Sequence, residues 1–191
     1  MMYKGIEIIA EVKTQSPFGY KSKEGSDELF NIADLVGDII SVHIDSRWGG
    51  YPELIAELKK STMKYILAKG LHLSDSDIKR SLSFGADYVL VYNRIPDSLY
   101  LSKCFIEPRN LELLSNIPKG CRVVWNSRDL ETSFKENRDI MKSEKFEEAR
   151  KLWKGWLCQA SGIRTVKDIK EGADAVLVGT HLKEFVVSLG Y

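Results

Sequence analysis

Short apolar runs alternate with amphipathic helical segments along the whole chain, and this alternation limits the fold more than any other feature. The runs are Glu7–Lys13, Ile39–Ile44, Tyr65–Lys69, Tyr88–Tyr92, Cys104–Glu107, Arg122–Asn126, Gly155–Ala160 and Ala175–Gly179. Between them, helical patterning covers Asp27–Val36, Pro52–Lys60, a segment headed by Ser74, Lys142–Trp153, Thr165–Glu171 and His181–Leu189. Repeated strand–helix units imply a parallel sheet with right-handed crossovers. Eight such strands predict a closed (β/α)8 TIM barrel over residues 1–191 as one domain. An open doubly wound sheet is the alternative, but no GxGxxG follows the first strand.

With 191 residues the chain is short for such a barrel, since these folds run upward from about 200 residues. The shortfall lies around strands four and five. Only Arg94–Lys103 separates those strands, and Pro108–Lys119 is nearly as brief. A full crossover takes at least about ten residues, so shortened helices are expected there.

Composition excludes several function classes. A net charge of +1 gives no electrostatic footprint for nucleic acid or an anionic membrane. No apolar run approaches the roughly 20 residues that span a bilayer, and the N-terminus has no signal-peptide core, which predicts a cytoplasmic protein. Cys104, Cys121 and Cys158 are far apart, each in an apolar segment, and read as buried small hydrophobes. His43, His72 and His181 are equally scattered, so a zinc or other metal site is not expected.

Against this background the first strand is unusual. A parallel strand covered on both faces should be almost continuously Val, Ile and Leu, yet Ile8-Ile9-Ala10-Glu11-Val12-Lys13 carries two charges. Residues at i and i+2 leave a strand on one face, so Glu11 and Lys13 project together. Burying them requires mutual pairing or a wet cleft. A structural ion pair would also satisfy that requirement. Other strands, however, end in the same way: the third in Lys69, the fifth in Glu107, the sixth in Asn126 with Arg128 beyond, the seventh in Ser161-Gly162, the eighth in Gly179-Thr180. A closed barrel brings all these ends to one mouth, the face where such folds keep their active sites. The segments Ser161-Gly162 and Gly179-Thr180, each ahead of a predicted helix, are candidates for holding a phosphate on helix N-termini, though ordinary turn glycines would look the same.

The motifs at these ends resemble those of the indole-3-glycerol-phosphate synthase family. Glu11-Val12-Lys13-Thr14-Gln15-Ser16-Pro17 matches its E-x-K-x-x-S-P pattern, and Asn126-Ser127-Arg128-Asp129-Leu130 its N-[NS]-R-D-L. Ser161-Gly162-Ile163 and Val176-Leu177-Val178-Gly179 match the last two strands, and Trp48-Gly49-Gly50 follows the second like its aromatic-x-Gly loop. The resemblance implies ring closure and decarboxylation of 1-(2-carboxyphenylamino)-1-deoxyribulose 5-phosphate. It gives Lys69 the role of general acid and Glu107 the later proton transfers. Lys13 would steer the substrate's anionic groups, with Glu11 orienting it. Asn126, Arg128 and Ser161 would bind polar parts of the substrate, Ser16, Gly162, Gly179 and Thr180 the phosphate, and Trp48 the aromatic ring. No cofactor is implied, and the partner is the phosphorylated small molecule, bound by a monomer or weak homodimer.

Three departures accompany the resemblance. The first strand begins within seven residues of Met1, which predicts a short form without the family's helical extension. Ala160 stands where the family has an acid, and Lys69-Gly70-Leu71 replaces Lys-Asp-Phe. The alternatives are another phosphate-binding barrel, such as a phosphoribosylanthranilate isomerase-like enzyme, or a degenerate barrel that binds a phosphorylated metabolite without turning it over.

Overall fold

A computed structural model describes residues 3–191. Its strands are β1 Glu7–Val12, β2 Ile39–His43, β3 Tyr65–Lys69, β4 Tyr88–Tyr92, β5 Cys104–Glu107, β6 Arg122–Asn126, β7 Leu157–Ala160 and β8 Ala175–Val178. All pair in parallel, each with its neighbour in sequence, and β8 returns to β1 to close the barrel. The expected (β/α)8 barrel is therefore the fold of the chain. The helices are α1 Ser26–Val36, α2 Leu54–Lys59, α3 Asp75–Ser83, α4 Leu111–Asn116, α5 Leu130–Glu136, α6 Phe146–Leu152 and α7 Leu182–Ser188.

Alternation along each strand builds two shells. Ile9, Leu67, Leu90, Phe105, Val124, Cys158 and Leu177 fill the barrel interior. Their neighbours face outward: Ile8, Ala10, Ile40, Val42, Ile66 and Ala68 pack with Leu29, Ala33, Ile78 and Phe185 of the helices. On the other side, Ile106, Val123, Trp125 and Leu157 meet Leu114 of α4 and Phe146 and Ala149 of α6. At the N-terminal end of the barrel, the Arg122 guanidinium lies 4.9 Å from the Tyr88 ring centroid and 5.1 Å from that of Phe105, plugging the base.

The shortened crossover between β4 and β5 is a 3₁₀ turn, Ser98–Lys103, and α4 is a six-residue helix. The helix headed by Ser74 is α3, closed by a reciprocal capping box with Asp77.

Two expectations need correction, and one helix was not expected. The predicted Lys142–Trp153 helix begins only at Phe146, because residues 139–142 pair back onto the β6–α5 connection: Asp129 N–H donates to the Ile140 carbonyl and Lys142 N–H to that of Ser127. The predicted Thr165–Glu171 helix is reduced to the 3₁₀ turn Val166–Asp168. Asp168 and Thr165 form a capping box that starts the turn, but Gln159 on β7 stops it from continuing: its Nε2 donates to the Asp168 carbonyl and its Oε1 takes the Lys170 N–H. Helix α5, unforeseen, starts at Leu130 with Asp129 as its cap.

Candidate active site

On each strand the residue two beyond the last inward apolar or small side chain faces the C-terminal mouth. That row reads Glu11, His43, Lys69, Tyr92, Glu107, Asn126, Ala160 and Gly179, and all eight line one cavity of about 1070 Å³, its open mouth included. Lys13, Trp48, Arg128, Ser161, Gly162 and Thr180 line it too, along with apolar Leu71, Leu90, Ile163 and Leu177. Every site residue expected from the sequence reaches this cavity except Ser16. The Ser16 hydroxyl turns into its own loop instead, accepting the N–H groups of Phe18 and Tyr20 at 3.3 Å each.

Two polar clusters face one another. In the first, Glu11, 3% exposed, receives Lys69 Nζ at 2.6 Å on Oε1. His43 Nε2 stands 3.2 Å from the same oxygen, within ion-pair range but without the alignment of a hydrogen bond. Burial drives the Glu11 carboxyl upward, but the nearby positive charge, that of Lys69 foremost, overcomes it and holds the group well below the usual carboxylate range. Lys13 Nζ donates to Thr180 Oγ1 at 3.1 Å, and burial brings its ammonium down to about 8 in spite of Glu11. Burial likewise lowers the His43 imidazole to about 4, so the ring is neutral at physiological pH.

The second cluster centres on Glu107, 1% exposed. Asn126 Nδ2 donates to Glu107 Oε1 at 2.9 Å, while Asn126 Oδ1 accepts Ser161 Oγ at 2.7 Å and the Arg128 N–H at 3.0 Å. This chain fixes the Asn126 amide and with it the Glu107 carboxylate. Arg128 does not reach out free: its guanidinium is paired with Asp139, with Nη2 2.9 Å from Oδ2.

The anion-binding expectation changes in form. Ser161 and Gly162 are consecutive left-handed residues, φ +69° and +73°, leading into the 3₁₀ turn, so no α-helix N-terminus stands after β7. A Cβ on Gly162 would meet nothing within 4 Å, which leaves the backbone open to a ligand. Gly179 has another reason to be glycine: a Cβ there would lie 2.0 Å from Glu11 Oε2.

Trp48 is 6% exposed and already engaged. It stacks on His43 with centroids 5.2 Å apart and planes 4° from parallel, and Phe18 and Phe134 meet it edge-on at 6.5 and 5.8 Å. The loops after β1 and β2 and helix α5 after β6 thus join in one aromatic cap.

His43 and Tyr92 belong to the mouth yet were not singled out in the sequence. The signal was available: each ends its strand at the same parity as Lys69.

No family model matches the chain. Curated relatives do. The indole-3-glycerol phosphate synthase of Thermoanaerobacter sp. (strain X514) is 31% identical over 198 residues, covering 92% of this chain and 74% of the relative. This chain belongs to the indole-3-glycerol phosphate synthase family. The synthases of Caldanaerobacter subterraneus subsp. tengcongensis and Nautilia profundicola are 30% and 28% identical, over 95% and 91% of this chain and 80% and 74% of their own lengths. Among solved structures, 3-hexulose-6-phosphate synthase superimposes with a TM-score of 0.64 over 96% of this chain and 99% of its own. At 14% identity that likeness speaks for the barrel alone. The synthase-family motifs at residues 11–17, 126–130 and 161–163 all border the mouth of this barrel.

Proposed function

We propose that this protein is an indole-3-glycerol phosphate synthase, converting 1-(2-carboxyphenylamino)-1-deoxyribulose 5-phosphate to indole-3-glycerol phosphate, CO2 and water. The observation that carries the reading is the placement of an ammonium, Lys69, and a carboxylate, Glu107, in separate polar clusters on the wall of one cavity. Ring closure needs an acid at the ketone oxygen while the aryl carbon attacks, and the later loss of water needs a second proton carrier. Two titratable groups in different surroundings suit such a division of labour.

In this reading Lys69 leaves Glu11 to protonate the ketone oxygen as the new C–C bond forms. Loss of CO2 returns the bonding electrons to the ring system. Glu107, held by Asn126, serves the proton transfers that expel the hydroxyl as water and restore aromaticity. Lys13 draws in the substrate's anionic groups, Ser161 and Asn126 hold its polar atoms, and the phosphate lies against the open backbone at Gly162 and beside Thr180. Leu71, Leu90 and Leu177 offer apolar surface to the aryl ring. An assay that follows CO2 release together with the indole chromophore tests this directly. The expected result is equal amounts of both; release of neither from the intact protein would refute it.

A further inference from the structure

His43 is the least settled group at the mouth. It is 5% exposed, yet neither ring nitrogen has an aligned hydrogen-bond partner. Leaving a buried imidazole in this state is unfavourable, and the surroundings make it difficult for the ring to move away. Trp48 lies flat on it. Gly50 lets the following loop sit directly on the His43 carbonyl, where a Cβ would come within 1.7 Å of that oxygen. The ring is therefore held 3.2 Å from Glu11 Oε1, the same oxygen that Lys69 occupies at 2.6 Å.

The geometry points to His43 as a positioning residue that takes over Glu11 Oε1 when Lys69 turns to the substrate. If Lys69 carries a proton to a ligand, as the proposed function requires, its departure strips a buried carboxylate of its closest counter-charge. An uncompensated buried charge is strongly unfavourable. A neutral imidazole already in range supplies the missing donor: a small rotation aligns Nε2–H with Oε1, and no proton is transferred. The charged groups facing His43 are Glu11, Lys69 and Lys13 within the mouth and Asp45 beside its own strand. With Lys69 engaged elsewhere, Glu11 dominates that set and favours the donating tautomer.

Two measurements test the exchange. Imidazole ¹⁵N and ¹H NMR compares the unsubstituted protein with Lys69→Met, which empties the position on Oε1. The expected change is a downfield, exchange-protected Nε2–H on His43 that is lost again when Glu11→Gln is added. An imidazole spectrum unchanged by Lys69→Met would overturn the proposal. The second is kinetic. His43→Leu should lower kcat by about 10–100-fold, as for side chains that orient catalytic groups, with little change in KM, while His43→Gln, which keeps a terminal N–H, should recover most of the loss. Wild-type kcat in His43→Leu, or equal losses in both variants, would also overturn it. Inactivity of the unsubstituted protein would instead refute the proposed function; the NMR comparison needs no substrate and judges His43 on its own.

Discussion

Lys13 shows how burial and function meet at a single side chain. Its ammonium is brought down to about 8 chiefly by burial, so the charge that attracts an anionic substrate is present below that pH and is lost above it. The expected result is a kcat/KM profile with an alkaline limb near 8, since this ratio reports the ionisation of the free enzyme. Lys13→Arg, charged throughout, should remove that limb even if the overall rate is lower; an unmoved limb would assign it to another group. Gly179 carries a different constraint. A methyl group there would overlap Glu11 Oε2 at 2.0 Å, so Gly179→Ala must displace the carboxylate or the strand. Overpacking of this kind typically costs about 1–3 kcal/mol, read as a lowered Tm, and activity should fall with it because Glu11 positions Lys69. A variant with unchanged Tm and activity would show that the mouth yields freely.

At the scale of elements, the sequence was most legible where one periodicity ruled. Strands stand out as short, nearly continuous apolar runs buried on both faces, and so their placement, their order and the Lys69 and Glu107 ends could be read directly. Helix α3 could be read from Ser74 and Asp77, which cap each other; Ser74→Ala should lower stability by about 1 kcal/mol without altering kcat, by denaturant titration and steady-state assay. The segments that misled are those where a distant contact outweighs local propensity: Gln159 on β7 takes the Asp168 carbonyl and the Lys170 N–H and ends the turn that Thr165 and Asp168 cap, and pairing of residues 139–142 with the β6–α5 connection shortens α6. The mouth was incompletely legible for a related reason. Histidine and tyrosine, unlike lysine, are unremarkable at a strand end, so His43 and Tyr92 escaped notice. Ser16 was misplaced because the motif fixes its position in the chain but not the direction of its hydroxyl.

The aromatic cap, Phe18, Trp48 and Phe134, ties together two loops and helix α5, which no local pattern connects. If it covers a bound substrate, Trp48→Ala should raise KM and lower kcat together, because a loosened cap both binds and positions less well. Unchanged kinetics would mean that the cap only fills space.

For the whole molecule, the ionic mouth implies a sensitivity to acid. His43 is buried neutral, at about 4 in the folded protein against 6.5 when free. The unfolded chain therefore binds the proton more readily, and stability falls as pH drops from about 6.5 toward 4. Glu11, held low, loses its contribution further down, with the same sign. A Tm that declines across this range, with a shallower decline in His43→Leu, is the expected outcome; a flat profile would contradict the buried neutral ring.

In the proposed function a single mouth on this barrel carries out ring closure with Lys69 as the acid. A group that acts only in the transition state, once removed, lowers kcat and kcat/KM together. Single-turnover conversion of 1-(2-carboxyphenylamino)-1-deoxyribulose 5-phosphate by the unsubstituted protein and by Lys69→Ala tests that most directly. Indole product is expected from the first and a rate lower by about 10²–10⁴ in the second, with substrate still bound. Equal rates from the two proteins would contradict it.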